Sequence, residues 1–369
     1  MPSRIVLFGA TGYTGRLTAE ALVARGAKPV LAGRDRLRLD ALAGELGGGL
    51  ETAVADVAQP ETVHALVERG DVLVTTVGPF KRWGQTAVEA AVRSGAHYFD
   101  STGEPPFIRE VFERFGPTAQ AAGCALLTAF GYDFVPGNLV GALALEKAGA
   151  AAVRVDTGYF FAGDSAGMSG GTRASLAGVI AEPGFAWRDG RIVTERGARK
   201  YRTFAIHGKQ RAAVTVGASD HFGLPRFAPQ LREVNAYLGW FGPLSRVMQV
   251  SSLASAAASK VPGASKLLDT LVSRLVKGST GGPEAAERAR SGSDFIAIAY
   301  DALGKELAEV RMSGPNGYTF TADLLAWGAT RAAEGALREV GALAPVEAFG
   351  LEELRAGCRD CGLEPDLTP

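Results

Sequence analysis

Gly9, Gly12 and Gly15 are spaced so that a polypeptide backbone can approach a phosphate closely. The run Gly9-Ala10-Thr11-Gly12-Tyr13-Thr14-Gly15 follows the aliphatic segment Ile5–Phe8 and precedes a stretch with Leu17, Ala21 and Leu22 on one helical face. Strand, glycine turn and helix are the parts of a dinucleotide pyrophosphate site. The glycines remove the side chains that would hold the phosphates off, and the N–H groups that open the helix face the anion. The spacing is GxxGxxG, and no Lys-Ser or Lys-Thr follows, so a nucleoside-triphosphate loop is disfavoured.

The end of the second apolar run selects between cofactors. An NAD site carries an acid about 20 positions on, which accepts from the ribose 2′-hydroxyl. Here the sequence is Leu31-Ala32-Gly33-Arg34-Asp35-Arg36. Arg34, with Arg36 close behind, can pair with a 2′-phosphate through a guanidinium fork, so NADP is favoured over NAD. Helix N-capping accounts for Asp35. Asp56, followed by Val57, comes just after the third apolar run and reads either as an acceptor for the adenine amino group or as another N-cap.

Three further loops offer chemistry. Val77-Gly78-Pro79-Phe80 leaves backbone open to the nicotinamide ribose. Asp100-Ser101-Thr102-Gly103-Glu104 and Phe130-Gly131-Tyr132-Asp133 concentrate polar groups. Asp133 or Glu104 could stabilise an iminium. Tyr132, Thr172 or the backbone N–H groups near Gly170 and Gly171 could stabilise a developing enolate oxygen. Each of these residues also has an ordinary reading as a turn or cap.

These loops need a scaffold that brings them to one edge. Strand candidates at Ile5–Phe8, Pro29–Ala32, Glu51–Ala55, Val72–Val77, His97–Asp100 and Ala125–Ala129 alternate with helix-like segments, which predicts a doubly wound parallel α/β (Rossmann) domain over 1–150. Helices in 322–369 are expected to complete it. After about residue 150, Val153–Phe161, Ile206–Gln210, Ala212–Val216, Phe295–Asp301 and Glu306–Met312 read as strands, with a hairpin turn at Asp301–Gly304. They predict an α+β second domain over 151–321 with a mostly antiparallel sheet. Leu224–Val276 reads as a helical insertion, either a satellite core or a greasy substrate channel.

GATGYTG, VGPF followed by Gly84, HYFDSTGE and GYDFVPGNL, in this order, resemble saccharopine dehydrogenase-like oxidoreductases. Ser169–Ser175, Gly282-Pro283 followed by Glu287-Arg288, and Tyr318–Ala322 resemble the branch that includes trans-acting enoyl reductases. The resemblance implies NADP binding and hydride transfer to a C=N or C=C bond in a cleft between the domains. It also implies a homo-oligomer, with the second domain able to support a dimer. Two positions depart from the family pattern: Phe134 ends its GFDS-like segment, and Asn138 replaces an aspartate two residues after the proline. The apolar 224–276 region favours a hydrophobic or polyketide-like small-molecule substrate.

Rival readings are weaker. No tyrosine begins a Tyr-xxx-Lys pair, so the short-chain dehydrogenase acid is missing. Gly163-Asp164-Ser165-Ala166-Gly167 matches a hydrolase nucleophile elbow, but a serine hydrolase leaves the glycine turn unexplained. A cofactor-binding sensor or scaffold without turnover is the alternative from another class. The 39 basic and 39 acidic residues cancel, which leaves no global basic field for nucleic acid. Three cysteines cannot make a disulfide framework, and Cys358-x-x-Cys361 has no second ligand pair, so no metal is expected. No signal peptide and no apolar run of about 18 residues are visible, so a cytoplasmic protein without a membrane span is expected.

Overall fold

The computed structural model describes residues 3–163, 183–242, 244–258 and 281–366. It divides into two compact units. One comprises Met1–Thr102, Phe107–Val135 and Gly317–Gly362; the other comprises Gly103–Pro106, Pro136–Asn316 and Leu363–Pro369.

The first unit is a doubly wound α/β domain. Its strands β1 (Ile5–Phe8), β2 (Val30–Gly33), β3 (Thr52–Val54), β4 (Val72–Thr75), β5 (His97–Asp100) and β6 (Ala125–Leu127) lie in the order β3-β2-β1-β4-β5-β6, with the short strand Gly341–Ala342 beyond β6. Every pairing is parallel. Val6, Leu7, Leu73 and Val74 are fully buried, as expected for strands covered on both faces. Helices α1 (Tyr13–Ala24), α2 (Arg36–Glu45), α3 (Pro60–His64) and α4 (Phe80–Ser94) make the crossovers. The helix Gly317–Ala333 returns to this unit and packs beside α1. The chain runs outward from β1 to β3 and then jumps back to β4. The switch point therefore falls between β1 and β4, and a ligand crevice belongs at their C-terminal ends.

The second unit is built on a sheet of β7 (Arg154–Gly163), β8 (Pro183–Arg188), β9 (Arg191–Arg196), β10 (Tyr201–Ile206), β11 (Lys209–Val216), β12 (Glu233–Leu238), β13 (Ser291–Tyr300) and β14 (Glu306–Pro315). Its path is β10-β11-β12-β7-β13-β14, ending on the short strand Glu364–Pro365. All pairs are antiparallel except β12 with β7. Phe160, Phe204, Ile206, Tyr237, Ile296 and Ile298 form a buried cluster on this sheet.

Two expectations need correction here. Ile206–Gln210 is not one strand: Ile206 ends β10, Lys209 and Gln210 open β11, and His207 and Gly208 turn between them with φ of +48° and +70°. Leu224–Val276 is not a helical insertion throughout. It starts in the helix Asp220–Phe227, continues through β12 and reaches the helix Leu244–Ala258, with 259–280 outside the described residues. β12 lies between β11 and β7, so its residues are buried from Val234 to Leu238 and show no alternation to read. The hairpin β8–β9, which turns at Asp189 and Gly190 with φ of +48° and +80°, was also not foreseen. The Asp301–Gly304 hairpin forms as expected, closed by the Gly304 N–H on the Asp301 carbonyl. Among the described residues, no helix is long and apolar enough to cross a membrane.

Candidate functional site

The glycine turn is anchored to the strands on both sides of β1. The N–H groups of Gly9 and Ala10 both donate to the Ala32 carbonyl of β2, at 2.9 and 3.2 Å. On the other side, the Thr76 hydroxyl donates to the Gly9 carbonyl at 3.2 Å. Gly9 has a φ of +92°, which a side chain would strain. A methyl group at Gly15 would lie 2.1 Å from the Gly9 carbonyl oxygen, so the turn and the first coil of α1 touch through bare backbone. Gly12 caps α1 without a side-chain bond, and the first turn of the helix carries no acid. The first turn of α1 therefore sets no carboxylate of its own against the helix's positive end, which suits a pyrophosphate.

At the end of β2 the charged residues have different roles. Asp35 caps α2 by accepting from the Arg38 N–H at 3.1 Å. Arg36 turns away to β3, where it donates to the Thr52 hydroxyl at 2.9 Å and the Thr52 carbonyl at 3.3 Å. It was expected on the cofactor and is instead held at this strand. Arg34 is exposed and has no hydrogen-bond or ion-pair partner among the described residues. Arg38, which was not singled out from the sequence, reaches back to donate to the Thr11 carbonyl at 3.0 Å. Asp56 does not cap α3, because Gln59 does. Its Oδ1 accepts from the Ala58 N–H at 2.9 Å in a local turn, beside half-buried Val57.

The loops after β4, β5 and β6 share the same sheet edge. The Gly78–Pro79 bond is cis, and both residues are exposed. The Phe80 ring is buried against Phe107 at 5.7 Å, and its edge also borders Gly78, where a methyl group would lie 3.4 Å from it. Asp100 was not foreseen as a support. Its Oδ1 accepts from the N–H groups of Thr102 (2.8 Å) and Ala129 (2.9 Å), and its carbonyl accepts from Phe130 (2.7 Å), so it ties the β5 and β6 loops together. Burial pushes its carboxyl up to about 6. Beyond it, Gly131 is buried against Thr321, whose hydroxyl accepts from the Tyr132 N–H at 3.0 Å. The Tyr132 ring lies over Gly317. Asp133 is buried and has a φ of +81°, a region that costs most residues energy and is least unfavourable for Asp and Asn.

Residues 5–127 match the family described as the saccharopine dehydrogenase NADP binding domain. The matched residues fall in the first unit apart from Gly103–Pro106. A Mycobacterium tuberculosis protein (strain ATCC 25618 / H37Rv), provisionally named a trans-acting enoyl reductase, is 40% identical over 184 residues, covering 48% of this chain and 44% of its own length. A trans-acting enoyl reductase of Mycobacterium leprae (strain TN) is 42% identical over 140 residues, 37% of this chain and 34% of its own. The matches thus span less than half the length of these relatives. In overall fold the chain is similar to apo saccharopine dehydrogenase (L-Glu forming) from Saccharomyces cerevisiae, with a TM-score of 0.57 at 13% identity over 99% of both chains.

Not every expected residue belongs to the NADP-binding unit. Gly103 and buried Glu104 fall in the second unit, while Tyr132, Asp133 and Gly131 remain in the first. Thr172, Gly170, Gly171, Ser165 and Gly167 lie outside the described residues. The second unit holds a buried polar network that was not foreseen. The Tyr159 hydroxyl (2.5 Å) and the Thr157 hydroxyl (3.0 Å) donate to Asp220 Oδ1, and Asn138 Nδ2 lies 3.5 Å from Asp220 Oδ2 and 3.1 Å from the Ser219 hydroxyl. This explains the departure at Asn138: an aspartate there would set a second carboxylate against Asp220. Cys358 and Cys361 are both buried, and burial pushes their thiols up, Cys361 to about 12, which makes them poor nucleophiles. Among the described residues, no group of His, Cys, Asp and Glu could hold a metal ion.

Proposed function

We propose that the protein is an NADPH-dependent reductase that saturates the C=C bond of an apolar enoyl substrate. One observation carries the cofactor side: the glycine turn closes against β4 through Thr76 and Gly9 and leaves the first turn of α1 without an acid, in a segment that matches an NADP-binding domain. The C=C assignment rests on the names of the mycobacterial relatives. The bound cofactor supplies the hydride, and the protein supplies position and charge. The glycine turn holds the pyrophosphate, and Arg34 takes the 2′-phosphate. Asp100 fixes the turn on which Tyr132 and Asp133 stand. Tyr132 is the proposed donor to the developing enolate oxygen, with Asp133 beside it in sequence; Glu104 and Thr172 are proposed as further candidates on sequence grounds alone.

The test is NADPH oxidation by the purified protein with a panel of enoyl thioesters and, in parallel, cyclic imines. Oxidation matched by saturated thioester supports the reading. Oxidation with imines alone moves the chemistry to C=N. Tight NADPH binding without turnover on any member is the result that favours a cofactor sensor.

A further inference from the structure

The Arg38 side chain and the backbone just before Arg34 both approach Thr11. Gly33, the residue before Arg34, approaches Thr11 closely enough that a methyl group there would lie 3.8 Å from the Thr11 hydroxyl. Arg38 stands on the first coil of α2 and donates through Nη2 to the Thr11 carbonyl at 3.0 Å. Elsewhere in the same unit Arg4, Arg16, Arg25, Arg109 and Arg114 are each neutralised by a carboxylate. Arg34 and Arg38 have no carboxylate partner among the described residues, and the only acid between them, Asp35, spends its side chain on the α2 cap. Thr11 lies inside the glycine turn, so the Arg38 guanidinium borders the segment that would carry the adenosine ribose, and Arg34 follows directly on a residue that approaches the same segment. The single bond of Arg38 to Thr11 uses one of five N–H donors.

We propose that Arg38 is a specificity determinant for a ribose 2′-phosphate, acting with Arg34 across Thr11. The inference rests on the NADP reading and adds a second cation to it. The Thr11 bond holds the Arg38 guanidinium at the rim of the turn, where its remaining donors can take phosphate oxygens in a fork. A diol-bearing ribose offers no negative charge to either arginine and meets a capped Asp35 that is already bonded. Discrimination therefore arises from the phosphate itself.

The probes are 2′,5′-ADP and 5′-ADP, with affinities measured by titration calorimetry on the full chain. The intact protein should bind 2′,5′-ADP more tightly. Arg38→Met should weaken 2′,5′-ADP by about tenfold or more and leave 5′-ADP within about twofold, as expected for losing charge-assisted bonds. Arg38→Lys should retain part of the preference, and Arg34→Met with Arg38→Met should abolish it. An unchanged preference in Arg38→Met overturns the proposal. Equal weakening of both nucleotides also overturns it, and reduces Arg38 to a brace for the turn. If the intact protein binds neither nucleotide, the NADP reading itself fails and the inference falls with it.

Discussion

The Thr76 hydroxyl joins the end of β4 to the turn after β1 by donating to the Gly9 carbonyl at 3.2 Å. The bond crosses the topological switch point, where open α/β sheets bind their ligands. Thr76→Val keeps the shape and removes the donor, while the Gly12 N–H still satisfies the Gly9 carbonyl at 2.9 Å. The expected cost is about 1 kcal/mol of stability. NADPH affinity should fall several-fold because the turn is less well held, and Thr76→Ser should restore most of it. Chemical denaturation and calorimetry of the two variants check this.

Gly12 and Gly15 are equally prominent in the motif but unequal in space. A methyl group at Gly15 would stand 2.1 Å from the Gly9 carbonyl oxygen and 2.8 Å from its carbon, both backbone atoms that cannot rotate away. At Gly12 the same carbonyl oxygen is 3.2 Å away. Gly15→Ala should therefore cost about 1–3 kcal/mol through overpacking and abolish measurable NADPH binding. Gly12→Ala should fold nearly as the parent does. Paired thermal melts and NADPH titrations separate the two, and equal damage from both would refute the geometric argument.

Asp100 and Asp220 are both fully buried, and burial pushes each carboxyl from 3.8 to about 6. As pH rises through this window, the unfolded chain ionises first. The stability each group contributes is complete below about pH 4 and lost by about pH 6 to 7, with an upper bound of about 3 kcal/mol per group. His221, buried and pulled down to about 3, runs the opposite way, so the parent's own curve is a poor readout. The informative quantity is the difference between Asp220→Asn and the parent. The variant should gain relative stability between pH 4 and pH 7 and show no further relative change above that. The Asn138 amide can flip to accept from the new amide. Urea denaturation across this range gives the slope.

The parallel domain was legible in the sequence because each strand is short, apolar and ends at a Gly, Pro or Asp signal. β1 and β5 fall where the pattern predicts, at Ile5–Phe8 and His97–Asp100. β12 was hidden because a strand buried on both faces has no alternation, and its one polar interior residue, Asn235, is paid for by a bond to Asp156 that only the fold creates. The same division holds in the site. The glycines report local backbone needs and can be read directly. Which of Arg34, Arg36 and Arg38 faces the turn depends on long side chains and on tertiary partners such as Thr52, and spacing carries no record of these. Asp100 was visible only as a loop residue, since its bonds to Ala129 and Thr102 join segments that are distant or unremarkable in sequence.

The CxxC pair supplies a control. Cys358 is fully buried and Cys361 is 4% exposed, with the Arg25 guanidinium 3.5 Å from the Cys361 sulfur. Native protein should resist alkylation by iodoacetamide and label fully once denatured. Cys361→Ser should leave NADPH affinity unchanged. Rapid native labelling at Cys361, detected by mass spectrometry, would show an accessible thiolate and contradict the burial.

Asp133 offers the sharpest separation of stability from function. Its φ of +81° places an L-residue where glycine is comfortable, at the turn from β6 into the helix Phe134–Ala148. Strain of this kind costs about 1 kcal/mol and persists where surrounding structure or function holds it. Asp133→Gly relieves the backbone and deletes the carboxyl; Asp133→Asn keeps the side-chain shape and removes the charge. If the carboxyl takes part in the reaction, both variants should bind NADPH as the parent does and turn over at least about tenfold more slowly, as for loss of an acid–base group. Asp133→Gly should also melt at a higher temperature than Asp133→Asn. A variant that is stabilised and fully active would remove Asp133 from the chemistry and leave it a turn residue, while a loss of NADPH affinity would assign it to cofactor binding instead.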